Sequence, residues 1–175
     1  MNPVMEAILK RRSIRKYEDR PVSREQLTGL LEAAMAAPTA CNSQPWEFVV
    51  VTDPEVLAKL KGKLMFARHN APAAIVVCGN PKVARNKACK RFWIQDCSAA
   101  IENILLAAVG MGLGTVWIGL HPVHNFESHV RRTLELPEQV TPLGMVLVGV
   151  PAEEKAPRTQ YEAKRVHWQR YGAQE

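Results

Sequence analysis

At 175 residues, 47% of them hydrophobic and 23% charged, the chain has the size and composition of one globular domain spanning 1–175. No apolar run approaches the about 20 residues of a bilayer-spanning helix, and no basic segment followed by an apolar core opens the chain, so the cytoplasm is the expected location. A net charge of +6 would suit nucleic acid or small anions, yet the basic residues are scattered without an RNA-binding signature or zinc-finger spacing, and a nucleic-acid role is not expected.

Val4 to Lys10 reads as a short helix, and where it ends three guanidiniums and a hydroxyl crowd into Arg11-Arg12-Ser13-Ile14-Arg15. Guanidiniums this close repel one another unless solvent or an anion separates them. Arginine forks and a serine hydroxyl suit a phosphate, which accepts bidentate, charge-assisted hydrogen bonds. A solvated basic helix end that complements the helix dipole explains the same residues. Next, Ser23 with Gln26 predicts a capping box, and Leu27, Leu30, Leu31 and Ala34 repeat at helical spacing until Pro38 stops the helix.

The segment Ala37-Pro38-Thr39-Ala40-Cys41-Asn42-Ser43-Gln44-Pro45-Trp46 must turn, since two prolines bracket small or polar residues. Thr39, Asn42, Ser43 and Gln44 offer donors and acceptors suited to the polar edge of a planar heterocycle. They would equally satisfy the backbone of an ordinary helix-to-strand connection.

A strand is predicted at Glu47 to Thr52, and Asp53-Pro54 caps a helix that fades after Lys61-Gly62. Ala73 to Gly79 is continuously apolar, a strand buried on both faces. Asn80 to Lys90 is a polar, basic loop. From Arg91 to Met111 runs the longest helix, apolar almost all round and expected in a core or a subunit interface. Gly110-Met111-Gly112-Leu113-Gly114 lacks the third glycine of a dinucleotide fingerprint and joins helix to strand, so its glycines serve a cap and a tight turn. Gly114 to Leu120 is a buried strand, Asn125 caps a helix over Phe126 to Leu134, and Leu143 to Val150 is the last strand. Elements that alternate without a strict βαβ rhythm predict an α+β fold, a mixed central sheet flanked by helices. After Pro151 the chain is polar with intermittent Tyr161, Trp168 and Tyr171, which suits an arm lying over another surface.

Cys41, Cys78, Cys89 and Cys97 show neither a C-x-x-C pair nor metal spacing, so free thiols are expected, several of them buried. His121, His124 and His129 cluster without a third ligand and read as surface or capping histidines; no metal site is expected. No nucleophile–histidine arrangement is visible either.

In this order and spacing the segments resemble the nitroreductase family of FMN-dependent oxidoreductases, whose members open with R-R-S-x-R and follow with A-P-S-x-x-N-x-Q-P-W. The resemblance continues through Asp96 to Ala108, Gly112 to Gly119 and Lys155-Ala156-Pro157-Arg158. It implies a nitroreductase-like fold and an intertwined homodimer whose C-terminal arm, 151–175, packs on the partner subunit. It further implies that Arg11, Ser13 and Arg15 hold the FMN phosphate with Arg12 in support, and that Lys155 and Arg158 close that end, with Lys164-Arg165 as a rival pair. Pro38, Thr39, Ala40 and Asn42 would line the flavin from the partner subunit, Gln44 would secure the loop or touch the ring, and Ile118 and Gly119 would pack near flavin N5.

The implied activity is ping-pong hydride transfer from NADH or NADPH, through N5, to an electron-poor small molecule such as a nitroaromatic or quinone. No protein acid or base is required, because the cofactor carries the chemistry. The alternatives are a non-catalytic flavin-binding sensor or storage protein, and a reductive dehalogenase or flavin-cleaving relative on the same fold.

Overall fold

The computed structural model describes residues 2–173. Nine regular elements follow one another as α1 (Pro3–Lys10), α2 (Arg24–Met35), β1 (Trp46–Val51), α3 (Pro54–Gly62), β2 (Ala73–Gly79), α4 (Cys89–Gly110), β3 (Gly114–Gly119), α5 (His124–Thr133) and β4 (Thr141–Gly149). The strands stand in the order β1-β2-β4-β3, and these neighbours pair antiparallel. A parallel bridge from Ser13 to Thr115 gives the β3 edge its mixed character.

Every residue of β2 is buried, because both faces of the sheet are covered. Its side chains alternate between two cores. Ala73, Ile75 and Val77 join Leu30 of α2 and Ala100, Ile101 and Ile104 of α4, while Ala74, Val76 and Cys78 join Leu57 and Leu60 of α3 and Val130 of α5. This layering fixes where chain ends emerge: α4 lies on one face, α3 and α5 on the other, and the loops between them gather at the sheet's ends.

Local signals account for most boundaries. Ser23 and Gln26 form the reciprocal capping box, and Asp53 accepts from the Glu55 and Val56 amides with Pro54 just inside the helix. Three expectations need correction. First, α5 begins at His124 with Val123 in the cap position, so Asn125 sits within the first turn and caps nothing. Second, α4 does have the length and apolar composition of a membrane span; its Ala100, Ile101, Ile104 and Ala108 are fully buried in the protein's own core. Third, His129 is a buried residue, its Nε2–H shared between the carbonyls of Lys59 and Leu60 at 3.1 and 3.0 Å. It therefore ties α5 to the end of α3.

Candidate active site

After α1 the chain crosses the end of the sheet, anchored by Ile14 and Tyr17, both buried. Ile14 lies directly on Gly114, where a Cβ would stand 2.8 Å from Ile14 Cγ2, so β3 must open with glycine for the segment to come this close. The Ile14 amide donates to Thr115 O at 2.8 Å, and the Tyr17 hydroxyl donates to Ile14 O at 2.6 Å. Burial pushes the Tyr17 phenol far above its ordinary value of 10, so it remains a donor. With these two side chains turned inward, Arg11, Arg12 and Ser13 are left half-buried and Arg15 exposed.

The segment leaving β4 returns alongside. Ala152 N–H donates to Lys16 O at 3.0 Å and Arg158 N–H to Leu9 O at 3.1 Å. The Arg12 guanidinium donates to Ala156 O, and Lys155 Nζ to Ser13 O at 2.6 Å. Glu153 is the internal counter-charge. Its carboxylate accepts from the Arg15 amide at 2.6 Å and the Lys16 amide at 3.3 Å and pairs with Lys155 at 3.1 Å. The Arg15 N–H, chiefly, holds the Glu153 carboxyl below the ordinary 4.5.

The segments 11–15 and 152–158 thus lie side by side, next to a cleft of about 400 Å³ whose wall includes Arg12, Thr115, Glu153 and Lys155. Arg11 has only a loose pairing with Glu102, 3.6 Å away. Among the described residues, the guanidiniums of Arg15 and Arg158 have no hydrogen bond or ion pair. The rival pair is committed elsewhere: Lys164 and Arg165 both pair with Glu162, at 3.5 and 2.7 Å.

The loop after α2 is held in an unusual backbone. Cys41, Asn42 and Gln44 all lie in the left-handed region, at φ of 52, 53 and 48°, with no glycine among them. Side chains hold it there. Thr39 Oγ1 accepts from the Gln44 amide at 3.2 Å, and the Gln44 amide group donates to Asn42 Oδ1 at 2.9 Å. Beneath them Asp96, on α4 and only 4% exposed, accepts from the Ala40 amide at 2.9 Å and the Ser43 hydroxyl at 3.0 Å. Pro38, Thr39 and Ala40 line a separate hollow of about 330 Å³ with Phe92, Gln95, Asp96 and Ala99. The two hollows share no residue, so one chain does not bring this loop onto the arginine cluster.

At the far end of β3, Ile118 is buried while Gly119 is exposed, with open space where its Cβ would be. His121 follows, its Nδ1 2.7 Å from Glu127 Oε1 and its ring set edge-on to Trp93 with centroids 4.9 Å apart. Among the described residues no cluster of His, Cys, Asp or Glu could hold a metal.

Glu153, Tyr17 and Asp96 escape a reading of the sequence. Only Asp96 leaves a signal there, an acidic residue beside Cys97 and Ala99-Ala100 in an apolar helix.

The sequence profile of the nitroreductase family matches residues 8–67 and 61–150. The chain belongs to the nitroreductase family. It is 40% identical over 170 residues to a Methanothermobacter thermautotrophicus protein provisionally named NADH dehydrogenase/NAD(P)H nitroreductase, covering 96% of this chain and 87% of the relative. Among solved structures, a similarly named Parabacteroides distasonis protein superposes with a TM-score of 0.90 at 40% identity, covering 98% of this chain and all of the other. An FMN-dependent nitroreductase from Clostridium difficile matches with a TM-score of 0.83 and 32% identity, covering 95% and 99% of the two chains. The antiparallel sheet between helical layers is this nitroreductase fold.

Proposed function

We propose that this nitroreductase-family chain is an NAD(P)H-dependent oxidoreductase that binds FMN and passes electrons to an electron-poor small molecule, a nitroaromatic or a quinone. It does so in two half-reactions, as a cytoplasmic homodimer of single-domain subunits. The observation that carries the reading is the meeting of two basic segments, 11–15 and 155–158, where Lys155 reaches Ser13 O and Arg12 reaches Ala156 O, and where the guanidiniums of Arg15 and Arg158 have no bonded partner among the described residues. Basic segments brought together by folding, with Glu153 and Glu102 too few to balance them, fit a phosphate monoester.

The other residues fit the rest of the mononucleotide. Gly119 leaves room for a planar ring to approach the backbone, and the 38–44 loop offers polar side chains at its surface. The hollow lined by Pro38, Thr39 and Ala40 is separate from the arginine cluster, so the complete site joins the cluster of one subunit to the loop of the other. Two surfaces support that pairing. Val4, Met5 and Ile8 of α1 are 65, 49 and 45% exposed, and the arm exposes Tyr161, Trp168 and Tyr171. Residues 174 and 175 of that arm lie outside the described residues.

FMN, when bound, would supply the redox chemistry between NADH or NADPH and the acceptor. The chain's own residues bind and orient: the cationic corner fixes the phosphate, the β3 end supplies backbone against one edge of the ring, and the loop bounds a face. The surplus of positive charge serves an anionic cofactor and co-substrate rather than nucleic acid.

The test is anaerobic stopped-flow on FMN-loaded protein of known mass in solution. Bleaching of the flavin by NADH or NADPH, followed by recovery of colour with a quinone, is expected from a dimer. Flavin that stays oxidised under excess of both pyridine nucleotides overturns the enzymatic reading in favour of a binding protein. A folded monomer that takes up no FMN overturns the shared site.

A further inference from the structure

We propose that Asp96 is a positioning residue that sets the shape of the 38–44 loop against the cofactor without touching it. The inference rests on the reading that this loop lines the flavin.

The loop carries three non-glycine residues in the left-handed region, a conformation that persists only where surrounding structure over-determines it. Most of its bonds are exposed or local: Gln44 to Asn42 at 2.9 Å, and Asn86 to Cys41 O at 2.8 Å. The Arg85 amide also donates to Ser43 O at 2.8 Å, and among the described residues the buried side-chain anchor is the Asp96 carboxylate. Its two oxygens divide between the Ala40 amide at 2.9 Å and the Ser43 hydroxyl at 3.0 Å. Those two positions flank Cys41 and Asn42, so the carboxylate clamps the chain on either side of its left-handed pair. Ser43 itself is fully buried, which seats the clamp inside the protein.

Asp96 is in turn rigid. It lies on α4 one to two turns before Ala100, Ile101 and Ile104, fully buried residues that lock the helix onto the sheet. The loop is therefore referenced to α4 through this side chain, at a sequence distance of 56 and 53 residues. The clamp works by acceptor geometry. The Ala40 N–H can only donate, whereas the Ser43 hydroxyl can donate or accept. An asparagine at 96 keeps both bonds, its oxygen taking Ala40 N–H and its NH₂ turned to the Ser43 oxygen. An alanine keeps neither.

The experiment compares full-length wild type, Asp96→Ala, Asp96→Asn and Ser43→Ala. It uses two readouts, amide exchange at Ala40 in the flavin-free protein and FMN affinity by fluorescence quenching. Asp96→Ala should speed Ala40 exchange and weaken FMN binding by about tenfold each, while Asp96→Asn should stay within about threefold of wild type in both. Ser43→Ala, which removes one of the two bonds, should fall between them. The inference is overturned if Asp96→Ala keeps wild-type FMN affinity, or if Asp96→Asn is as impaired as Asp96→Ala. Should Asp96→Ala fail to fold, Ser43→Ala with unchanged exchange and affinity overturns it as well. A wild-type protein that binds no FMN sinks the flavin reading instead, and the Ala40 exchange comparison then still reports on the clamp.

Discussion

Arg15→Ala separates binding from folding in the cationic corner. The Arg15 side chain is exposed and has no hydrogen bond or ion pair among the described residues; only its backbone amide is engaged, by Glu153 at 2.6 Å. Removing the guanidinium should change folding stability by no more than about 0.5 kcal/mol, the usual range for an isolated surface side chain. A hydrogen bond from that group to a phosphate is charge-assisted and contributes about 1.5–3 kcal/mol. At about 1.4 kcal/mol per decade, the FMN dissociation constant should rise between about 10- and 150-fold.

The assay pairs a fluorescence-quenching titration of FMN with a thermal melt of the flavin-free variant. Arg132→Ala on α5 is the matched control for loss of one positive charge. The neighbouring Arg131 is unsuitable as a control: its guanidinium donates to the carbonyls of Pro137 and Leu136 and closes the turn after α5. Arg12→Ala should lose both stability and FMN, because Arg12 also holds Ala156 O. An unchanged FMN affinity in Arg15→Ala, or an equal loss in Arg132→Ala, refutes the placement of the phosphate.

Glu153 is held below its ordinary 4.5 by the Arg15 and Lys16 amides and Lys155, so its bonds favour the folded state above that pH and are lost as pH falls through the depressed value. Glu153→Gln should therefore flatten the acid side of a plot of Tm against pH between about pH 6 and pH 3, and an unaltered slope counts against the contact. Cys78 and Cys97 are pushed up to about 12 by burial, Cys89 is buried and Cys41 is exposed. One of these four thiols should react rapidly with a disulfide reagent at about pH 8, and all four after denaturation; a second fast thiol in the native protein contradicts the burial. At Gly144, an added Cβ would collide with Trp117 Nε1, lie 3.0 Å from Trp117 Cδ1 and 3.3 Å from Ile101 Cδ1. Gly144→Ala should cost about 1–3 kcal/mol in denaturant melts by displacing the indole, and no loss of stability would show that Trp117 moves freely.

The sequence was most legible where one local rule decides the outcome. β2 stands at Ala73–Gly79 as its unbroken apolar run predicts, since a strand covered on both faces has no polar alternation to blur its ends. The Ser23–Gln26 box and the Asp53-Pro54 cap mark helix starts, because capping is chemistry between residues two or three apart. Asn125 misled by the same reasoning: a good capping residue two positions late does nothing when the chain already turns at Val123. His129 looked like a surface group because nothing near it in sequence shows that the carbonyls of Lys59 and Leu60 come to meet it. For the site, the two basic clusters were legible as clusters, 11–15 and 155–158. Their convergence depends on Ile14, Tyr17 and Gly114, ordinary core residues in the sequence.

That dependence explains why the candidate site is built in the way it is. A row of like charges cannot attract its own chain, so the folding energy that assembles the arginines must come from residues between and beneath them. Ile14 and Tyr17 supply burial three residues apart along the segment, and Glu153 supplies one carboxylate against two backbone amides and Lys155. Glu153 engages Lys155 and Glu102 lies loosely by Arg11, which leaves the guanidiniums of Arg15 and Arg158 uncompensated among the described residues. A further carboxylate at either would compete with an incoming phosphate for the same donors. The loop solves the complementary problem: its left-handed residues are intrinsically unfavourable, so its shape is borrowed from α4 through Asp96. In both places a single buried or half-buried carboxylate connects an unstable but useful surface to a core that is stable without it.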